Sequence, residues 1–398
     1  MTAVALRAIL MMPLAVPIRE AYSGEDVGDL FKAGPCPERN DIAPGKSDTT
    51  RDDSGAWNDM VADMERPAPG RDGGAEEAAS RTCPFVGGQA VMEGILMRNG
   101  GRYAVAVRRR DGSIVAERRG WLGMTRRGPL SRPFLRGFPL LVETLINGIR
   151  ALNRSAELTG ECGRAGNGPS RVQLLFTLLA AFGLAALMFV VAPHLLSLGM
   201  QRLDLGGDME GFTFHMWDGL FKFFIFIGYI AAVSFVPEIR RVFQYHGAEH
   251  KVIAALEAGE PVSARSAMRH SRLHARCGTT FMLFVLSAAV LAHAAAVPSL
   301  LALWRPENAV LRHAGVLLFK VLLMIPVSAL AYEMIRLAAR MGASLPGRIL
   351  RAPGFLFQLL TTREPDREQL EVAVVALREA LGDSAPEHMH TVSYTVLE

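Results

Sequence analysis

The stretch Thr280–Trp304 reads TFMLFVLSAAVLAHAAAVPSLLALW and contains no aspartate, glutamate, lysine or arginine. At about 1.5 Å of rise per residue, a helix of this length crosses the roughly 30 Å hydrocarbon core of a bilayer. Three further segments reach or approach spanning length: Val172–Leu198, Leu220–Val236 and Ala314–Ile335. The chain is 50% hydrophobic and only 21% charged. The sequence therefore predicts a polytopic α-helical membrane protein with about four transmembrane helices.

The charge of the flanking segments predicts how these helices are oriented. Residues 102–171 contain fourteen arginines and residues 238–279 contain seven lysines and arginines, whereas residues 200–218 have one arginine against four acidic residues. Because basic flanks stay in the cytoplasm, we expect a multi-pass protein of the cytoplasmic (inner) membrane with both termini and residues 238–279 inside. The basic flanks also predict contact with anionic lipid headgroups rather than with nucleic acid.

Composition divides the chain into six regions. Residues 1–84 form an acidic leader, since residues 20–80 carry 15 acidic against 6 basic side chains and few aromatics, a composition typical of disorder. Residues 85–171 form a small β-containing cytoplasmic domain, with a hairpin around Asp111-Gly112 and an interfacial amphipathic helix over Phe138–Leu158. The remaining regions are predicted as transmembrane helices at 172–237, a cytoplasmic His-rich helical loop at 238–279, transmembrane helices at 280–337, and a cytoplasmic C-terminal helix and tail at 338–398.

The His-rich loop holds the strongest chemical pattern in the chain. It contains Tyr245-His-Gly-Ala-Glu-His-Lys251, in which one helical turn presents His246 and His250 with Glu249 between them. Two imidazoles at this spacing are typical of a metal site, and the carboxylate is positioned to act as a general base.

A second set of ligand types follows in the same loop. His270 and His274 mirror the first pair, so an antiparallel helical hairpin turning near Glu260, with Ser263 as the N-cap of its second arm, would set His246 opposite His274. Cys277 lies one turn beyond His274. We therefore predict a divalent metal, with zinc favoured by the thiolate, held by His246, His250, His274 and Cys277. The alternative for Cys277 is a small buried residue at the start of the third span.

Two of the ionisable residues inside the predicted spans are candidates for a functional role in the membrane. His293 and Lys320 lie at similar depth in the same half of the membrane. Such residues often mark an ion or proton path, but a bond from His293 to a neighbouring helix carbonyl and a Lys320 side chain that reaches the interface explain them more simply.

Four segments of the chain resemble the YqhQ-like family of bacterial membrane proteins. They are Gly87–Arg98, Tyr245–Lys251, Ser271–Thr279 and Thr361–Pro365, and the resemblance runs from about Phe85 to Leu381. It implies a metal-dependent enzyme whose site includes His246, Glu249, His250, His274 and Cys277, and it leaves His270 outside the pattern. Ala275 stands where the family usually has proline.

These patterns lead to one function and two alternatives. We expect a membrane-embedded, metal-dependent enzyme of the hydrolase class, with Glu249 as its base and a lipid-linked or membrane-protein substrate at the cytoplasmic surface. The first alternative is a non-catalytic factor in membrane-protein biogenesis or envelope assembly, in which the His-rich loop is a platform. The second is a transporter, which His293 and Lys320 alone support weakly.

Overall fold

A computed structural model describes residues 86–124, 132–160, 171–209, 211–274, 277–304, 306–341, 344–386 and 389–397. The predicted leader at residues 1–84 lies outside the described residues. The described chain forms a bundle of long apolar helices and a smaller unit built on a β-sheet.

Five strands form the sheet in sequential order. They are β1 (Val86–Val91), β2 (Gly94–Asn99), β3 (Arg102–Arg108), β4 (Ile114–Gly120) and β5 (Thr395–Leu397). The first four are antiparallel, and β5 pairs in parallel with β4. The predicted hairpin is confirmed as β3–β4, where Gly112 has a φ of 84° that glycine adopts without steric cost. The sequence analysis missed β5, because three residues are too few to show an alternating pattern.

Within the residues that the structure describes, four helical segments are long and apolar enough to cross a membrane: Leu179–Arg202, Phe212–Val233, Phe281–Leu303 and Ala309–Leu337. The first consists of the second half of α2 (Arg171–Ala186), a π-helical turn at Leu187–Val191, and α3 (Ala192–Arg202), and the others belong to α4 (Phe212–Val233), α7 (Thr279–Leu303) and α8 (Ala309–Arg340). The predicted fold class is thus confirmed, and the chain is a multi-pass membrane protein.

The second span begins earlier than the sequence indicated. We predicted its start at Leu220 and assigned Asp218 to the preceding loop, because an aspartate is costly in hydrocarbon. In the structure α4 begins at Phe212, and Asp218 is 1% exposed between two lysine side chains. The prediction of this boundary was wrong because partners on two helices compensate the charge.

The surface unit combines regions that are far apart in the sequence. Helices α5 (Pro237–Glu257) and α10 (Arg367–Leu381) pack together with the sheet around one apolar core. Asp366 caps α10 by accepting a hydrogen bond from the Gln369 amide, and the apolar face of this helix, with Leu370, Ala373, Leu377 and Leu381, is buried. The N-terminal sheet, the His-rich loop and the C-terminal helix therefore form one unit rather than three separate regions.

Helix α1 (Gly137–Leu158) joins the surface unit to the membrane bundle. Its polar side does not face water: Glu143 and Asn147 are buried, where they accept and donate hydrogen bonds with the segment after β4. At its start, Arg136 forms a bidentate pair with Glu333 of α8. The helix predicted as interfacial thus uses its polar face to bind the sheet unit.

Candidate metal centre

Helix α5 carries the three motif residues in its buried middle portion. Pro237 occupies its first turn, where the missing amide hydrogen costs nothing, and the helix continues to Glu257. The side chains of His246, Glu249 and His250 are 8%, 6% and 2% exposed. Gly247 permits close approach of the segment that contains Arg363, because a Cβ at position 247 would lie 2.2 Å from the carbonyl oxygen of Arg363.

Both histidines of α5 are held by backbone carbonyl groups. His246 Nδ1 lies 2.9 Å from the carbonyl oxygen of Thr361, and His250 Nδ1 lies 2.6 Å from that of Arg272. Because a carbonyl oxygen only accepts, each Nδ1 carries the hydrogen and each Nε2 keeps its lone pair. In metal sites, histidine ligands are oriented by the same kind of hydrogen bond, which the ring nitrogen that does not bind the metal donates to a neighbouring acceptor. Burial also holds the pKa of His250 well below its usual value, which keeps the ring neutral.

Cys277 completes a group of three ligand types. Its Sγ lies 3.3 Å from Nε2 of His246, and one ligand atom from each of His246, His250 and Cys277 lies within 4.8 Å of the others. A tetrahedral zinc ion with usual bond lengths separates a sulfur and a nitrogen ligand by about 3.6 Å. Thr279 contacts the sulfur through both its amide and its hydroxyl group. Burial raises the pKa of the Cys277 thiol to about 12, so only a bound cation would favour the thiolate.

Glu249 lies beside this group and against the first strand. The Gly88 amide hydrogen-bonds the carboxylate, and burial raises the pKa of Glu249 to about 7, against the opposing effects of His246 and His274. A Cβ on Gly88 would lie 2.8 Å from the carboxyl carbon of Glu249. A glycine in β1 is therefore what makes room for this carboxylate.

The structure places His274 at the edge of the cluster. Its ring centroid is 5.7 Å from that of His250, but its Nε2 lies 3.2 Å from Glu257 Oε2. Gln358 fixes its backbone by bonding both the amide and the carbonyl group. The three-atom group thus contains His246, His250 and Cys277, and His274 stays a predicted ligand that lies outside this group.

The symmetric helical hairpin was wrong. Ser263 does cap a helix, as predicted, but α6 (Ala264–Ala267) is a single turn, and the described residues 268–274 and 277–278 form no regular helix. His270 consequently lies 3.6 Å from Glu260 Oε2 rather than opposite the first histidine pair. Cys277, just before α7, is the residue that lies beside His246.

Residues near the end of α9 (Leu345–Thr361) support the site and were missed by the sequence analysis. Thr361 supplies the carbonyl group for His246, Gln358 holds His274, and Arg272 donates to the carbonyl oxygen of Thr362. Lys251 forms an ion pair of 2.9 Å with Glu364. Only the Thr361–Pro365 resemblance pointed to this segment, since backbone carbonyl groups leave no trace in side-chain patterns.

Comparison with known proteins agrees with the resemblance noted above. Residues 132–383 match the family model described as "Protein of unknown function (DUF1385)". The chain is also 33% identical over 318 residues to the "Uncharacterized protein YqhQ" of Bacillus subtilis (strain 168), which covers 75% of this chain and 92% of that protein. No solved structure matches the chain significantly. The matched residues include the membrane bundle, α5 and Cys277. The chain belongs to the YqhQ-like DUF1385 family of proteins of unknown function.

Proposed function

We propose that His246, His250 and Cys277 bind a divalent transition metal, with zinc preferred, and that the protein is a metal-dependent hydrolase. The observation that carries this proposal is the pair of imidazoles whose Nδ1 atoms are fixed by carbonyl groups, with a buried sulfur 3.3 Å from one Nε2. Two nitrogens and a thiolate suit zinc better than they suit magnesium or calcium. When bound, the ion would polarise the scissile carbonyl or phosphoryl group and acidify the attacking water.

Glu249 is the residue of this chain that would move the proton. It follows His246 by three positions on the same helix and precedes His250 directly, so it borders the metal group without being needed to fill it. Its carboxylate would take a proton from the attacking water and return it to the leaving group. The Gly88 amide would hold the carboxylate in place during both transfers.

The position of the site supports a substrate at the membrane surface. Cys277 and Thr279 lie at the start of a membrane span, and α9 brings the buried Phe355 and Phe357 beside the loop and the span helices. We therefore propose a lipid-linked or membrane-protein substrate. The arginine-rich flanks further support an inner-membrane location with this end of the bundle and both termini in the cytoplasm.

One observation favours a second candidate, a non-catalytic metal-stabilised platform for a partner in membrane-protein biogenesis or envelope assembly. This group is buried, since less than one-tenth of each of its four residues is exposed: His246, Glu249, His250 and Cys277. Closed sites of this kind usually serve structure, whereas catalytic sites keep one position open. If His274 moves toward the group and becomes a fourth ligand, the site closes. If it stays outside the group, a position remains open.

Metal content tests the centre. Protein purified in detergent without chelators should hold one zinc per chain, and His246→Ala, His250→Ala and Cys277→Ala should each lose most of it. His270→Ala is the matched control in the same loop, and it should retain the metal because its ring pairs with Glu260. Wild-type protein without a stoichiometric transition metal would refute the proposal.

Two further variants separate the enzyme from the platform. Glu249→Gln should keep the metal, yet fail to restore growth or fitness to a strain that lacks the gene, because the amide cannot accept the proton. A platform predicts that Glu249→Gln is silent in that assay. If His274 is not a ligand and the site is open, His274→Ala should keep the metal. If His274 is the fourth ligand of a closed site, this variant should lose the metal.

A further inference from the structure

A second polar cluster lies inside the membrane bundle. Asp218 of α4 is the central anion: its Oδ2 lies 2.5 Å from Nζ of Lys222, and its Oδ1 lies 3.0 Å from Nζ of Lys320 on α8. The three side chains are 1%, 5% and less than 1% exposed. Lys320 therefore does not reach the interface as the sequence analysis expected, and two ammonium groups share one carboxylate in the spans.

Histidines extend this cluster in two directions. Nζ of Lys222 lies 3.2 Å from Nδ1 of His293, whose Nε2 bonds the carbonyl oxygen of Lys320 at 3.3 Å, so the predicted helix-carbonyl partner of His293 is confirmed. On the other side, Nζ of Lys320 lies 3.5 Å from Nδ1 of His194, and Nε2 of His194 lies 3.0 Å from Nδ1 of His313. One continuous chain of polar atoms thus joins α3, α4, α7 and α8.

This chain of polar groups opens toward one membrane face. His313 is the fifth residue of α8 and is partly exposed, and His194 lies in the half of its span that ends at Arg202. Toward the other face, buried apolar residues follow the cluster along the described parts of α4 and α7: Phe226 and Ile230 come after Lys222, and Phe281 and Phe284 come before His293. The groups therefore reach only the face that carries the α3–α4 and α7–α8 loops.

The count of charges makes the fully protonated cluster unfavourable. With Asp218 ionised and both lysines protonated, the buried group carries one excess positive charge, and an uncompensated charge in a low-dielectric interior costs several kcal/mol. Loss of one proton leaves one carboxylate, one ammonium group and one amine, and their charges sum to zero. Lys222 has the shorter contact with the carboxylate, whereas Lys320 also contacts the histidine route, so Lys320 is the lysine suited to release the proton.

We propose that Asp218, Lys222 and Lys320 form a membrane-embedded proton-binding site that exchanges protons with one membrane face through His194 and His313. The Lys320 ammonium transfers a proton to Nδ1 of His194 and becomes a neutral amine. The Nε2 hydrogen of His194 moves to Nδ1 of His313, and His313 releases a proton to water. The other ionisable groups near this route are His215 on α4, His293 on α7 and Arg312 on α8.

Proton binding fits the geometry better than binding of a larger ligand. Each ammonium group already contacts the carboxylate and one imidazole, and the atoms lie within hydrogen-bonding or ion-pair distance of one another. An anion would have to displace Asp218 from both lysines. The apolar barrier toward the metal centre further indicates a site that responds to one compartment rather than a route through the membrane.

The chain offers a direct test because it has only five lysines: Lys32, Lys46, Lys222, Lys251 and Lys320. The full-length protein, labelled with ¹⁵N at lysine Nζ and placed in lipid nanodiscs, would be titrated from mildly acidic to mildly alkaline pH by NMR. We expect the Lys320 signal to change from ammonium to amine while the other four stay ammonium. Lys320→Met assigns the signal by its loss, and a Lys320 that stays ammonium in the wild type would overturn the proposal.

Two variants test the charge count and the route. In Lys222→Met one carboxylate faces one ammonium, so Lys320 should remain charged over the same pH range; an unchanged titration would overturn the proposal. In His194→Phe the ring is kept but the relay is removed, and exchange between the two forms of Lys320 should slow by about a hundredfold. Unchanged exchange would refute the histidine route. Lys251→Met, at the metal centre, is the control and should leave the Lys320 titration unaltered.

Discussion

The metal centre and the intramembrane cluster are both buried and polar, but they satisfy their polar atoms in opposite ways. In the metal centre, carbonyl groups hold the Nδ1 atoms of His246 and His250, and Nε2 of His246 lies beside the Cys277 sulfur. In the intramembrane cluster, a carboxylate and two ammonium groups already neutralise most of one another. On the two proposals made above, the first group binds a cation, whereas the second changes its number of protons.

The two groups also differ in how removal of one member affects the fold. The metal centre joins a helix, a loop and the end of α9 through hydrogen bonds from histidine rings to carbonyl groups. The intramembrane cluster joins four helices through full charges. Loss of a charged member should therefore cost more than loss of a neutral one.

Asp218→Asn should have the largest effect of the changes considered. It leaves two buried ammonium groups without their carboxylate, and such a change typically costs about 3–5 kcal/mol. Thermal unfolding in detergent should show a large loss of stability. Asp208→Asn is the matched control, because Asp208 is exposed in the α3–α4 loop and its described side-chain hydrogen bond is the one from Gln201.

A double variant sharpens this prediction. Adding Lys320→Met to Asp218→Asn removes one of the two unpaired cations and should restore part of the lost stability. If the double variant is as unstable as the sum of its single changes, the two residues do not interact, and the cluster is not the source of the effect.

Gly247→Ala should damage the metal centre by an intermediate amount. The new methyl group would lie 2.2 Å from the carbonyl oxygen of Arg363, whose amide bonds the carbonyl oxygen of Phe243 at 2.9 Å. Overpacking of this kind costs about 1–3 kcal/mol, which exceeds the roughly 1 kcal/mol that alanine gains over glycine in a helix. Because Thr361 and Arg363 would move together, we expect weaker zinc retention as well as lower thermal stability.

Gly228→Ala is the matched control for that change. Gly228 lies within α4, and nothing lies within 4 Å of the position that its Cβ would take. This variant should keep its zinc and its stability. Equal zinc loss in both variants would show that helix substitution in general, rather than the contact with Arg363, disturbs the centre.

The sequence revealed these two regions unequally, for a physical reason. The spans, the β3–β4 hairpin and the Ser263 cap are visible because they follow from local periodicity and turn chemistry. His246, Glu249 and His250 are visible because one helical turn carries all three. Asp218 was missed because its ion pairs compensate a charge that, read alone, ends a span, and Lys222 lay inside the predicted span without being singled out. Cys277 was predicted as a ligand from its residue type and its place near His274, with a small buried residue as the alternative, because a loop carries no period from which its position can be calculated.

Ser263→Ala should have the smallest effect, and it tests which end anchors the loop of the metal centre. The Ser263 hydroxyl accepts a hydrogen bond from the Ser266 amide, and the Ser266 hydroxyl accepts one from the Ser263 amide. Loss of such a cap costs about 1 kcal/mol. Zinc should nevertheless be retained, because Arg272 bonds Thr362 and Gln358 bonds both backbone groups of His274, which holds the ligand segment from α9. Ser299→Ala, exposed on α7, is the control and should change stability by no more than about 0.5 kcal/mol. Loss of zinc in Ser263→Ala alone would mean that α6, rather than α9, positions Cys277. The difference in stability between the surface site, which hydrogen bonds hold, and the membrane cluster, which ion pairs hold, would then be greater than the contacts indicate.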